Sequence, residues 1–263
     1  MSEAHARLNF VSNLCKLKIK FVLLCPLLMA QYFMNQQSFW SNYFKVLKKE
    51  WTVALANKSF RRTLYVVPGL FIAYSSITQY LSNYIESRQG IRLDDALLQL
   101  FPAQDFSFAI FILLYTSLLM LIVTHVHQPK VIMRLIEMHF LVAVVRQLCI
   151  LMVALEPPAG IIVLRDVFLE NTVYPHNIPL TKDLFFSGHV ASIWIYFLCA
   201  QYRYLKIFFL LATLAMGFMI LSMRVHYSYD VLGALLFTSL IYFGPSRAKS
   251  YVHKVKAQLA LTK

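Results

Sequence analysis

The sequence predicts an all-α integral membrane protein: a six-transmembrane-helix bundle preceded by a basic N-terminal interfacial region. Three observations predict it. First, 59% of the 263 residues are hydrophobic and only 14% are charged, with a mean hydropathy of +0.60. Soluble domains hold about 45–50% apolar and about 25% charged residues. Second, the apolar residues gather in runs near the ~20 that cross ~30 Å of hydrocarbon. A backbone in lipid must satisfy its own hydrogen bonds, so such runs are helices. Third, the basic residues are distributed unevenly between alternate connections. Together these exclude a soluble globular domain, a disordered chain and a collagen-like one. Cys15, Cys25, Cys149 and Cys199 form no C-x-x-C pair. They read as small hydrophobes, not as a disulfide or zinc framework.

The first span runs from about Thr63 to Leu81, the second from Phe106 to Thr124 and the third from Leu135 to Leu155. The fourth covers Leu184 to Tyr202, the fifth Leu205 to Ser222 and the sixth Tyr227 to Phe243. With the N-terminus in the cytoplasm, the inner segments hold 19 Lys and Arg and the outer loops 5, with Arg146 inside a span. Cytoplasmic loops carry the excess of basic residues, so this asymmetry supports both the span count and the orientation.

Residues 1–62 read as a cytoplasmic, interfacial basic region, 63–245 as the catalytic membrane domain and 246–263 as a basic cytoplasmic tail. Within the first, Lys16, Lys18 and Lys20 precede a short apolar run from Phe21 to Ala30. Pro26 interrupts it, and no small residue stands two before Ala30, as a cleavage site would require. The alternatives for residues 19–34 are an extra span or a removed signal. The stretch from Phe39 to Trp51 mixes aromatics with Lys45, Lys48 and Lys49, as an amphipathic segment on a membrane surface does. The net charge of +13 therefore points to an anionic leaflet. Because the basic residues flank spans and form no patch on a folded domain, no nucleic-acid partner is expected.

Two polar clusters stand where lipid discourages them. One is Lys182-Asp183-Leu-Phe-Phe-Ser187-Gly188-His189 at the outer end of span four. The other is Arg224-Val-His226-Tyr227-Ser-Tyr-Asp230, between spans five and six. The charge-derived topology puts both on the same, exoplasmic side. Four apart on a helix, His226 and Asp230 share a face. A carboxylate accepting one ring N–H fixes the imidazole tautomer and leaves the other nitrogen free to attack. His189 follows Ser187-Gly188 at a helix start, where exposed N–H groups favour an anion such as phosphate. One imidazole attacking phosphorus and a second protonating the departing alkoxide is the division of labour of metal-free phosphoester cleavage.

Arg146 lies mid-span, at an insertion cost of about 2.5–3.5 kcal/mol. It is expected to face the interior and grip an anion, a phosphate for choice. Either cluster alone is a common solvated interface feature. Their convergence on one side, with an intramembrane arginine, carries the functional reading. His125 and His127 fall on the opposite side and read as solvated residues, His139 as facing a helix neighbour and His176 as a loop residue. No H-E-x-x-H, Cys/His set or acidic cluster suggests a metal. No cofactor is expected.

The pattern Asp183-x-x-x-Ser187-Gly188-His189 followed by His226-Tyr227-x-x-Asp230-Val231 resembles the C-terminal motifs of the sphingomyelin synthase family, a branch of the type 2 phosphatidic-acid phosphatase superfamily. Pro102-Ala-Gln104-Asp105 looks like a degenerate form of the family's Pro-Asp motif, and Arg134 to Pro158 like its arginine-containing third span. The resemblance covers roughly residues 62–245. It implies six spans with both termini cytoplasmic and the site on the exoplasmic, lumenal or periplasmic face. It implies a catalytic triad of His189, His226 and Asp230. Arg146, Ser187, Gly188, Asp183, Tyr227 and Asp105 are expected on the substrate side. Arg224 stands too close to His226 for the superfamily's Ser-Arg motif and is expected to touch phosphate from the rim. It implies that His226 takes the phospho-head group from a membrane phospholipid donor, releasing diacylglycerol. Ceramide or a diacylglycerol-type lipid alcohol then accepts the group. There are departures: Val190 replaces a threonine, Thr181-Lys182 replaces Cys-Gly, and the Pro-Asp motif reads Gln104-Asp105.

The same triad serves a hydrolase in which water accepts the phosphoryl group, a lipid phosphate phosphatase or phospholipase C-type enzyme. A transporter would show Gly- and Pro-interrupted helices and repeats, and this chain has only 7 glycines. The head group (choline, ethanolamine or inositol) stays open, as does the oligomeric state, a homo-oligomer included. Head-group selectivity is expected in the longer outer loops, residues 82–105 and 156–183, because binding function concentrates on loops.

Overall fold

The computed structural model describes residues 40–165 and 180–261, with side chains as far as Gly244. The readings for Cys15, Cys25, residues 19–34 and His176 lie outside the described residues. The chain divides into two compact units, Met1–Val53 and Ala54–Lys263. In the first, residues 40–53 are helical, and the rings of Trp40, Tyr43 and Phe44 pack on one another with centroids 5.9–6.2 Å apart.

In the second unit every regular element among the described residues is a helix: α1 (Lys58–Ser87), a 3₁₀ turn (Ala96–Leu100), α2 (Ser107–His125), α3 (Pro129–Met152), α4 (Gly188–Cys199), α5 (Arg203–Ser222) and α6 (Ser228–Leu261). The six apolar runs thus become six helices. Asn57 starts α1 by accepting the N–H groups of Ser59 and Phe60 on its side-chain oxygen, at 2.9 and 3.1 Å, as N-caps do. Pro129 opens α3 in the first turn, where a missing N–H costs no hydrogen bond.

Helices α1, α2, α3 and α5 are long and apolar enough to cross a membrane. The fourth run is the exception. Its helix has 12 residues, about 18 Å at 1.5 Å per residue. Residues 184–187 leave the helix because their backbone groups are engaged elsewhere. Phe186 O accepts from Arg146, and Ser187 N donates to Asp230 O. Non-helical backbone is tolerated at membrane depth where protein satisfies it. At the other end of α4, Gln201 N donates to His125 Nε2 at 3.1 Å. The sixth run is apolar over Ser228–Gly244, and its backbone stays helical through Leu261.

Helix α4 is the central element and packs against α2, α3, α5 and α6, while α1 lies on α3. Val190, Ala191, Ile193, Ile195 and Tyr196 of α4 are buried, and Ala212 and Ala234 are buried on its neighbours. Lipid is as apolar as these side chains, so association rests on van der Waals packing, which small residues at contacts improve. The exterior carries exposed apolar side chains on α1, α2, α3, α5 and α6, among them Ile72, Phe108, Leu148, Leu214 and Leu236. A surface of that kind suits lipid, not water. The long apolar helices and this surface together mark an integral membrane protein.

The connections at each end of the bundle meet one another. At one end the α1–α2, α3–α4 and α5–α6 connections interlock. Ile91 pairs with Leu155 in a parallel bridge, Ile162 N donates to Met223 O at 2.8 Å and Gln104 N to Ser222 O at 3.4 Å. Arg88 closes α3 by donating to the carbonyls of Ile150, Leu151 and Val153, the favoured place for a cation. At the opposite end the α2–α3 and α4–α5 connections touch, where Gln128 and His127 meet the Tyr202 hydroxyl.

Gly90 makes the bridge possible. A Cβ there would sit 2.6 Å from the Leu155 carbonyl carbon and 2.9 Å from Glu156 N. Gly90→Ala is expected to force the two connections apart and lower stability by about 2 kcal/mol. Gly69→Ala, with nothing within 4 Å, serves as the control and is expected to be neutral or slightly stabilising. Thermal unfolding in detergent micelles checks the pair.

Candidate active site

The site forms where α6 begins beside the start of α4. His226 precedes α6, and Asp230 lies in its first turn. Both are buried, Asp230 completely. Asp230 Oδ2 lies 3.2 Å from His226 Nδ1 and accepts the Tyr227 backbone N–H at 2.9 Å. An ionised carboxylate only accepts, so the ring proton resides on Nδ1. Nε2 is left as the free lone pair.

The second cluster is tied to the first through backbone: Ser187 N donates to Asp230 O at 3.1 Å. Ser187 caps α4 without a side-chain hydrogen bond, and its buried Oγ has no partner among the described residues. His189 occupies the first turn of α4 with its ring edge-on to Phe111 of α2, centroids 5.6 Å apart.

Arg146 comes up from α3. Its Nε donates to Phe186 O at 2.6 Å, and its Nη2 to Asp183 O at 3.1 Å and Asp183 Oδ2 at 2.9 Å. The expected anion is therefore present within the chain as the Asp183 carboxylate; Nη1 alone has no acceptor among the described residues. Burial pushes the Asp183 carboxyl up. The guanidinium outweighs that effect, helped by the fields of His226 and His189, and holds it below the usual carboxylate range. Gly188 is needed for the approach, because a Cβ there would stand 3.2 Å from Arg146 Nε and 3.3 Å from Cζ.

The segment before Ser187 is clamped by two glutamates that sequence reasoning missed. Glu86 accepts the backbone N–H groups of Thr181 and Lys182 and the Thr181 hydroxyl. Glu156 accepts from Lys182 Nζ and Gly90 N, each at 2.9 Å. These bonds, the lysine first, hold Glu156 below its ordinary value. No local pattern marks either residue, since each acts on a segment 26 or more positions away.

A cavity of about 290 Å³ opens from this centre into the bundle. Tyr74, His139, Arg146, Asp183, Gly188 and His189 line it, with aliphatic and aromatic side chains between them. His139 does meet a helix neighbour, the Tyr196 ring at 5.6 Å. Tyr74 was not anticipated; its hydroxyl donates to Ala143 O at 3.1 Å. His125 is fully buried, not solvated, because it joins two connections.

Three expected site residues take other positions. Tyr227 is buried, donates its hydroxyl to Glu156 O at 2.9 Å and accepts Leu93 N at 3.1 Å. Asp105 is exposed and stands one residue before the N-cap of α2, accepting the Ser107 N–H at 2.8 Å and its hydroxyl at 2.7 Å. The Ser107 backbone N–H, then its hydroxyl, lower the Asp105 carboxyl. Arg224 has a left-handed backbone, φ 56°, and donates to Ala159 O at 3.2 Å. Asp95, which sequence reasoning passed over, fixes the α6 start by accepting Ser228 N at 2.7 Å. Among the described residues no group of His, Cys, Asp and Glu side chains is arranged to hold a metal.

Residues 182–245 match the family model described as PAP2 superfamily C-terminal. No curated protein and no solved structure matches the chain. The matched stretch contains His189, His226, Asp230 and Asp183. It supports the type 2 phosphatidic-acid phosphatase superfamily, and with it lipid phosphatase or phosphotransferase activity in the broad sense. It does not single out the sphingomyelin synthase branch.

Proposed function

We propose that the protein is a membrane phospholipid head-group transferase that works through a phosphohistidine. The observation that carries this reading is the buried His226–Asp230 pair, bonded through Asp230 O to the Ser187-Gly188-His189 turn of a second helix. The motif resemblance across Asp183–His189 and His226–Val231 supports the transferase branch.

In the first half-reaction His226 Nε2 attacks the phosphorus of a glycerophospholipid. The bond from phosphorus to the glycerol oxygen breaks, and His189 protonates that oxygen, releasing diacylglycerol. Asp230 stabilises the charge that develops on the His226 ring. In the second, an acceptor hydroxyl, from ceramide or another lipid alcohol, gives its proton to His189 and attacks the same phosphorus. The P–N bond breaks, and His226 regains its lone pair. The Gly188–His189 helix start and Arg146 Nη1 favour the non-bridging oxygens. Both termini are cytoplasmic in this proposal, with the site at the exoplasmic end of six spans.

Purified protein in mixed-lipid vesicles, supplied with head-group-labelled phospholipids with and without ceramide, tests the reading. A labelled sphingolipid that requires both ceramide and His226 is expected. Diacylglycerol and a soluble labelled phosphate ester formed regardless of ceramide would instead identify a hydrolase on the same catalytic frame.

A further inference from the structure

A second cavity, of about 510 Å³, lies at the site end of the bundle. That volume is within the range of small-molecule sites. Arg92, Asp94, Gln99, Ala159, Arg224 and Tyr227 line it. Arg224 and Tyr227 flank His226 in the chain, and the remaining walls come from the α1–α2 and α3–α4 connections. A donor lipid keeps its tails in the bilayer. Resting on the function proposed above, a phosphate at His226 then sends the head group outward into these connections. We infer that this cavity receives the head group, and that the head group is a polyol rather than a quaternary ammonium.

The lining carries the argument. Arg92 spends only its Nε, on Pro157 O, and Arg224 only Nη1, on Ala159 O. Arg224 Nε is buried without a partner among the described residues. The Asp94 carboxylate and the Gln99 amide have no hydrogen-bond partner among the described residues, and no ion pair joins Asp94 to either arginine. The cavity therefore offers separated donors and acceptors, with Asp95 already consumed by the Leu97 and Ser228 N–H groups.

Quaternary ammonium groups are held over aromatic faces, and among the described residues Tyr227 is the one aromatic side chain in this lining. A primary ammonium would satisfy Asp94 and set two guanidiniums against a cation. An amino-acid head group would answer one guanidinium and Asp94, leaving the other guanidinium and Gln99 unmet. Hydroxyls both donate and accept, so a polyol ring answers all four side chains.

The test is a binding measurement on full-length His226→Ala protein in detergent, which does not depend on turnover. Glycerophosphoinositol, glycerophosphocholine and glycerophosphoserine are titrated separately by calorimetry. Glycerophosphoinositol is expected to bind at least about tenfold more tightly than the other two. Asp94→Asn and Gln99→Ala, both at exposed positions, are expected to weaken it without shifting thermal unfolding: Asp94→Asn about tenfold, roughly one lost hydrogen bond to a charged group, and Gln99→Ala about fivefold, roughly one lost neutral hydrogen bond. Equal affinities, tighter binding of the choline or serine ester, absence of binding, or indifference to both substitutions would overturn the inference. The wild-type product assay reports separately on the transferase reading. Polyol binding without His226-dependent turnover would sink that reading and leave the cavity's assignment standing.

Discussion

Replacing His226 by alanine is expected to abolish phospho-head-group release, lowering turnover on the order of 10⁴-fold or more, as loss of a nucleophile in a cooperating triad does. Among the described residues the imidazole makes a single side-chain hydrogen bond, to Asp230, so the bundle should still assemble. Wild-type protein quenched during turnover should carry an acid-labile phosphoryl group, and His226→Ala none. Asp230→Asn is expected to cost roughly 10²–10⁴-fold, because the amide can present its NH₂ to Nδ1 and so trap the wrong tautomer. Its additional effect on folding is informative, since Oδ2 also accepts the Tyr227 N–H that begins α6. Quenched-flow labelling with a phosphorus-labelled phospholipid checks both. Full turnover in His226→Ala on every phospholipid tried contradicts the mechanism.

Arg146→Ala is expected to destabilise the fold by about 3 kcal/mol and to remove activity with it. The substitution deletes an ion pair at 2.9 Å and the donors to Phe186 O and Asp183 O. It leaves a carboxylate and two carbonyls without those donors beside the start of α4, and truncating one partner of such a pair is costly. The Asp183→Asn/Arg146→Ala double variant should be less destabilised than the sum of the singles, with a coupling of about 1 kcal/mol or more. Arg146→Lys is expected to recover only part, since one ammonium cannot reproduce the guanidinium's geometry. Unfolding in detergent, followed by circular dichroism, measures the cycle. Strict additivity would show that the pair is dispensable to the fold.

Most of the architecture was legible because lipid imposes a local rule. A helix in hydrocarbon must be long, apolar and internally bonded, so each span is written in one contiguous run. All six apolar runs became helices that start within six residues of their expected starts. The fourth became a shorter helix. Nothing in the run from Leu184 to Tyr202 states that Phe186 and Ser187 will give their backbone groups to Arg146 and Asp230.

The histidine and aspartate pairing was readable for the same reason, since a spacing of four residues sets a helix face. The partner of Arg146 was not. An intramembrane guanidinium announces that it needs an anion, but the sequence does not say that the anion is a carboxylate 37 residues later. Tyr227 and Arg224 show the converse. Their closeness to His226 in the chain suggested contact with phosphate, whereas their functional atoms reach Glu156, Leu93 and Ala159. The chain turns sharply at Arg224, φ 56°, and both side chains bond to the neighbouring connections.

By itself, then, the sequence determined what depends on composition and short spacing: an all-helical membrane protein, the position of its helices, and the two polar clusters with His189, His226 and Asp230. Only the tertiary structure decided which charges neutralise each other, how the three connections at the site end interlock, and which cavities result. Those outcomes depend on groups brought together across 26 to 134 positions of chain. Hydrogen bonds and ion pairs form by distance in space, and a linear pattern carries no record of it.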